Sequence, residues 1–266
     1  PRLRRSLLKS PLSLVYLSWV MHSVSPRLAI ALLLSLAVLG LAPLAATGQI
    51  SADRPGFGDG PATVAPGTVQ AELGAAAATD DFGTNAELGQ LLLRYGVADV
   101  LELRGGVGSV ALDAPDAEYT GTSVGGKLRL AESSLSALSV VSTWALPTGS
   151  GAFENERVSQ TLALAFNGAL GEGLGLSANA GTSVPYGGDT DPSYLFIPTL
   201  SVSLADQVGA YVGYAGFYST GLNTNYVEAG VTLLSGPDTQ LDVNTGLQVD
   251  ENRSAFFAGL GLAHRF

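Results

Sequence analysis

The sequence predicts an all-β protein, a transmembrane up-and-down antiparallel β-barrel of about 12 strands, and three observations carry that prediction. Apolar side chains recur at every second position in twelve successive segments after Thr68, which is the period of a strand and not of a helix. The connections between these segments alternate between short ones and longer acidic ones, as in a barrel with tight turns at one rim and larger loops at the other. The composition supplies 34 glycines in 266 residues, 46% hydrophobic and 14% charged residues and no cysteine. That chain is too apolar to stay disordered and too rich in glycine for a helical bundle. Without cysteine it has no disulfide framework, iron–sulfur cluster or thiol nucleophile.

The elements follow in order. Residues 28–46 form a Leu/Ala-rich run after Arg27 and end at Ala46-Thr47-Gly48, the small-residue pattern of a secretory signal peptide. Gly40 and Pro43 interrupt the run and no basic cluster follows it, which argues against a membrane anchor. Met21 is the sole methionine and the expected start, so residues 1–48 read as an upstream extension plus a removed signal peptide. Their loss takes five bases and no acids, leaving eight basic against 23 acidic residues, a net −15 that makes nucleic acid an unsuitable partner. Residues 49–67 are rich in Pro and Gly and are expected as an extended periplasmic segment, either hanging free or tucked into the lower mouth of the barrel.

Residues 68–266 are the expected barrel, with strands at 68–78, 86–95, 100–112, 119–130, 135–146, 157–170, 174–184, 194–205, 207–219, 226–235, 240–249 and 255–266. Leu91, Leu93 and Tyr95 alternate with Gln90 and Arg94; Leu101 and Leu103 with Glu102 and Arg104; Val124 and Leu128 with Ser123 and Lys127. Leu162, Leu164 and Phe166 alternate with Thr161 and Asn167, and Leu241, Val243 and Leu247 with Asp242, Asn244 and Gln248. Short connections are expected at 96–99, 131–134, 171–173, 206 and 236–239, and longer ones at 79–85, 113–118, 147–156, 185–193, 220–225 and 250–254. A closed barrel satisfies every backbone group internally, the condition for crossing lipid. A secreted β-sandwich also alternates, but it needs a bulky core, whereas this chain uses Ala and Gly on both faces.

If the apolar parity faces lipid, the other parity lines the lumen. Glu72, Arg94, Glu102, Arg104, Lys127, Arg129, Asp242 and Arg265 then form a charged belt near the periplasmic mouth, five bases against three acids. Ser159, Thr161, Ser177, Asn179, Thr199, Ser201, Ser203 and Tyr211 give the opposite wall a neutral, hydroxyl-rich surface. The belt is either a set of mutually paired charges filling a narrow lumen or a constriction whose residual positive potential favours anionic or polar solutes. Catalysis is not expected, because the single histidine after residue 48, His264, lies at the rim on the lipid parity. No metal site and no cofactor are expected either.

The stretch from Ser51 to Gly74 resembles the opening of a family of outer-membrane proteins named for the meta-pathway of phenol degradation. Its features are the Asp-Arg-Pro element Asp53, Arg54 and Pro55, then Phe57 and Asp59, then Pro61, Thr63 and Val64, then Pro66 and Gly67 leading into Gln70, Glu72 and Gly74. The hairpin from Leu91 to Gly106 is similar to the family's second one, and the terminal Phe266 resembles the closing-strand signal read by outer-membrane assembly machinery. The resemblance implies a location in the outer membrane of a Gram-negative-type bacterium and the uptake of aromatic compounds. The expected function is a passive channel for small solutes, aromatic or anionic, with outer-membrane lipid as its surroundings and no enzymatic role; the alternative is a closed structural or adhesive barrel acting through its outer loops.

Overall fold

The computed structural model describes residues 49–80, 83–113, 116–154, 156–187, 191–250 and 255–266, so the expected extension and signal peptide at 1–48 lie outside the described residues. Fourteen strand segments make one antiparallel sheet. They are β1 Val69–Asp80, β2 Gly83–Ala98, β3 Leu101–Val107, β4 Val110–Asp113, β5 Asp116–Tyr119, β6 Thr122–Glu132, β7 Ser136–Ala145, β8 Ser159–Gly171, β9 Leu174–Pro185, β10 Ser193–Ala205, β11 Val208–Ser219, β12 Leu222–Leu234, β13 Thr239–Gln248 and β14 Phe256–Arg265.

β3 and β4 are halves of one wall strand broken at Gly108 and Ser109, and β5 and β6 are halves of the next, broken at Thr120 and Gly121. The two breaks face each other and remain bonded, Gly108 N–H to the Gly121 carbonyl at 2.8 Å and Thr120 N–H to the Ser109 carbonyl at 3.0 Å. The wall therefore has twelve strands. β1 pairs with β2 on one side and with β14 on the other, from Gln70 opposite Arg265 to Thr79 opposite Phe256, which closes the barrel.

The distribution of side chains is inverted relative to a soluble protein. Leu162 and Leu164 are 47% exposed, Val243 57% and Leu260 61%, while Arg94, Lys127, Glu72 and Glu102 are at most 1% exposed. This is the signature of a wall with lipid outside and polar matter inside.

The connections depart from expectation at one rim. The stretches 79–85, 113–118 and 220–225 were expected as loops, but Asp80 pairs with Gly83, Asp113 with Asp116 and Ser219 with Leu222, so the strands run almost to their tips. Polar residues suit such positions because a strand that projects past the apolar band has water on both faces and still pairs its backbone. Residues 146–158, 186–192 and 249–255 remain longer connections. The other rim, called the terminal end below, carries both chain ends of the barrel and the tight turns.

Residues 49–67 were expected as a periplasmic segment, either hanging free or tucked into the lower mouth of the barrel, and the segment is found inside it. Residues 50–67 enter the barrel at the terminal end, climb past its middle, turn at Gly56 and Phe57, and descend to Pro66, which bridges to Gly96 in parallel fashion. Ile50 N–H bonds the Pro237 carbonyl at 2.7 Å where the segment enters, and Gly67 N–H bonds the Gly96 carbonyl at 2.8 Å where it leaves. Its backbone donors are met by the carboxylates of the inner wall, which is why an extended chain without secondary structure is stable there.

Candidate functional site

Arg94 is the hub of the charged cluster in the lumen. Its Nε and Nη2 donate to the two carboxylate oxygens of Glu102 at 2.9 and 2.8 Å, and its Nη1 donates to Glu72 at 2.9 Å. The same guanidinium also reaches the inserted segment, donating to the carbonyls of Ser51 at 2.9 Å and Ala62 at 2.8 Å. The planar fork of arginine suits this double role, two parallel bonds to one carboxylate and further bonds around its edge. Arg94, Glu72 and Glu102 occupy β2, β1 and β3, so three adjacent strands converge on one point.

The inserted segment supplies the acids that balance the remaining bases. Both Asp53 oxygens accept from Lys127 Nζ at 2.9 Å, and Arg104 Nη1 lies 3.2 Å from Asp53 and its Nη2 2.7 Å from Asp59. Glu72 in turn accepts from the backbone N–H groups of Asp53 and Arg54, each at 3.1 Å, and Glu102 from that of Val64 at 2.9 Å. Burial by itself would raise the Asp53 carboxyl, but Arg94, Lys127 and Arg104 around it hold it below the usual carboxylate range. Three bases thus face four acids, Asp53, Asp59, Glu72 and Glu102. The residual positive potential expected from the wall alone is therefore absent, because Asp53 and Asp59 arrive from outside the wall.

Of the expected belt, the structure brings Glu72, Arg94, Glu102, Arg104 and Lys127 together. Asp242 joins them through Arg54, whose Nη2 donates to it at 3.3 Å and to the Leu260 carbonyl at 3.2 Å. Arg129 and Arg265 stay apart at the terminal rim, the first paired with Glu132 at 3.1 Å and the second with Asp238 at 2.6 Å. Within the Asp53, Arg54 and Pro55 element, the first two side chains thus tie separate sectors of the wall to one segment.

The wall is shaped to this segment. Gly74 on β1 and Gly261 on β14 sit directly opposite each other, and a β-carbon on either would overlap the Arg54 guanidinium. Gly96 likewise leaves room for the Ala65 carbonyl.

Beyond its turn the segment meets aromatic residues. The Phe57 ring stacks on Tyr226 with centroids 5.0 Å apart and meets the edges of Phe257 at 5.5 Å and Phe217 at 5.8 Å. Phe57 N–H donates to Glu228 at 3.2 Å, and Tyr211 O–H donates to the same carboxylate at 3.2 Å. Across the lumen the segment has few tethers. Asn179 accepts from Asp59 N–H at 2.6 Å and donates to its carbonyl at 2.9 Å, and Ser139 donates to the Pro61 carbonyl at 2.5 Å.

Spaces remain beside the segment. One, of about 480 Å³, lies at the terminal end between Pro61, Ala62 and the hydroxyl wall with Ser177, Ser201 and Ser203. A second, of about 350 Å³, is bounded by Arg54, Phe57, Tyr226, Glu228 and Phe257. A third, of about 430 Å³, lies between the segment and Glu87, Gly106 and Ser123. Sequence reasoning named Phe57 and Asp59 by resemblance alone, and missed Glu228 and the partnership of Asp53 and Asp59 with the belt. The surplus of bases on the wall was a usable signal, since these are the two acids in residues 49–67. Among the described residues no three His, Cys, Asp or Glu side chains gather as a metal site would require.

A family model described as "Putative MetA-pathway of phenol degradation" matches residues 52–266. Among solved structures, the fold is similar to the COG4313 outer membrane channel from Pseudomonas putida F1, with a TM-score of 0.65 and 14% identity over 77% of this chain and 98% of that one. It is also similar to the NanC porin, TM-score 0.56 and 7% identity over 72% and 98%, and to the KdgM porin in complex with disordered oligogalacturonate, TM-score 0.54 and 11% identity over 73% and 99%. No curated protein matches the chain.

Proposed function

The chain belongs to that family, and from this premise we propose that it is a passive outer-membrane channel whose bore is set by the inserted segment 50–67. The observation that carries the reading is the polar, hydrogen-bonded contact between segment and wall. A lumen sealed for structural reasons alone would be filled by side chains of the wall, as in narrower barrels. Here a separate stretch of chain occupies the lumen, leans on one wall and leaves a space of about 480 Å³ beside the other.

Small solutes pass along the hydroxyl wall of β8, β9 and β10, where Ser and Thr side chains can replace water at low cost. Aromatic compounds are the solute class that the family name supports and that the rings around Phe57 suit. A preference for anions does not belong to the seated state, since Asp53 and Asp59 neutralise Arg94, Arg104 and Lys127. Transport requires no cofactor and no covalent step, and the role is not enzymatic.

The terminal end faces the periplasm in this reading, residues 1–48 are removed on export so that the mature chain starts near Gln49, and Phe266 serves as the assembly signal. The barrel comprises residues 68–266, with the segment 49–67 as its internal constriction. Planar-bilayer recording on refolded mature protein tests the channel: stepwise ion current is expected, and a folded but silent barrel would favour a structural role. A cysteine at Gly151 should react with an impermeant reagent on intact cells and one at Ser133 should not; the reverse pattern overturns the orientation.

A further inference from the structure

The space beyond the turn of the inserted segment differs in chemistry from the charge cluster below it. Phe57, Tyr226 and Phe257 supply ring faces and edges, and Phe57 keeps 39% of its surface accessible inside the barrel, so a solute can reach it. Glu228 and Glu87 bring two carboxylates to the same space. Glu228 is 2% exposed and is held by the Phe57 N–H and the Tyr211 O–H, both neutral donors. Glu87 accepts from Ser109 Oγ at 2.6 Å and from Gln90 Nε2 at 3.3 Å, neutral donors again. Among the described residues neither carboxylate makes an ion pair, and the base lining the space, Arg54, is committed to Asp242 at 3.3 Å.

We infer that this chamber is a binding site for a small organic cation, an aryl-alkyl ammonium whose charge lies over the Phe57, Tyr226 and Phe257 rings and beside Glu228. Aromatic faces attract a cation through their quadrupole, most strongly where water is excluded, and two unpaired carboxylates add a field of the same sense. An anion of the same size meets both carboxylates, and a neutral aromatic leaves them without a counter-charge. At about 350 Å³ the chamber falls within the range of about 300–1,000 Å³ usual for small-molecule sites. The inference deepens the channel reading by naming a solute class for one half of the lumen, and it rests on that reading only for the route by which the solute arrives.

Titration calorimetry on the refolded mature barrel in detergent tests it, with benzyltrimethylammonium, phenol and benzoate as probes. The cation should bind once per barrel and about tenfold or more tighter than phenol, with no heat from benzoate. Glu228→Gln should weaken the cation about tenfold while leaving any phenol binding unchanged. Should Glu228→Gln fail to fold, as read by heat-modifiable gel mobility, Glu87→Gln makes the same test on a carboxylate that holds only side chains. Equal affinity for phenol, binding of benzoate, no binding of the cation, or carboxylate variants that bind it as the parent does would each overturn the inference. Because the measurement needs no current, a silent barrel that binds the cation defeats only the channel, and a conducting barrel that does not bind it defeats only the site.

Discussion

The two walls of the lumen solve the same problem, a polar interior inside a ring of lipid-facing residues, by opposite means. On β1, β2, β3 and β6 the inward side chains Glu72, Arg94, Glu102, Arg104 and Lys127 are long and charged, and each bonds to the inserted segment. On β8, β9 and β10 they are Ser, Thr and Asn together with the buried Ala163, Ala165 and Ile197, and Asn179 holds the segment. The first wall is costly to disturb because its charges are buried and paired with one another and with the segment. The second is tolerant because a hydroxyl can exchange one partner for water. A lumen that must hold a segment and still leave a path needs both.

The largest expected effect lies on the charged wall. Arg94→Met leaves Glu72, Glu102 and Asp53 without their common partner, and a loss of about 3–5 kcal/mol is expected, read as a lower temperature for the heat-modifiable shift. Ser201→Ala on the other wall should stay within about 0.5 kcal/mol, and similar losses at both sites would erase the comparison.

Asp53→Asn comes next. It keeps the shape but removes the charge that Lys127 and Arg104 share, with an expected loss of about 2–3 kcal/mol from the seating of the segment. Displacing the segment leaves Arg94, Arg104 and Lys127 against Glu72 and Glu102, so conductance should rise and the reversal potential should shift toward anions. Unchanged current and selectivity would mean that the segment does not set the bore.

Acid sharpens the same point. The folded Asp53 carboxyl titrates below its unfolded value of about 3.9, so its contribution is complete at higher pH and is lost as pH falls through the folded value. Conductance governed by Asp53 should be flat from about pH 8 to 5 and rise only in stronger acid, below about pH 4. A rise near pH 6 would assign the seating to another group.

The smallest effect belongs to the rim. Arg129 pairs with Glu132, whose side chain is 55% exposed, and Arg129→Ala should cost less than about 1 kcal/mol and leave selectivity unchanged.

The strands were legible because lipid imposes a period of two that survives in the letters: Leu101 and Leu103 out, Glu102 and Arg104 in. Their ends at 79–85 were not legible, because Asp80, Gly83 and Asn85 carry loop chemistry yet pair in the ladder. The course of residues 50–67 left no periodic trace, and its one signal was the pair of acids Asp53 and Asp59 ahead of a wall with surplus bases. Its contacts join Asp53 to Glu72, Val64 to Glu102, Phe57 to Glu228 and Arg54 to Leu260, up to 206 residues apart, and pairing over such distances has no periodicity to read. The Asp53, Arg54 and Pro55 element stood out by resemblance before any physical reason for it was visible. That reason is the cluster around Arg94 and the seat around Arg54.

The facing glycines at the closure have a further consequence, for the count of residues around the ring. Gly74 and Gly261 are opposite each other in one register of β1 against β14, and that register also brings the Leu260 carbonyl to Arg54. A slip of the seam by two residues preserves the inside and outside faces and so escapes the lipid's scrutiny. It would part the glycines and carry the carbonyl about 7 Å along the barrel, leaving the guanidinium without its seat. Arg54 thus acts as a gauge of shear, a residue ahead of the first strand that measures whether the last one has arrived in step.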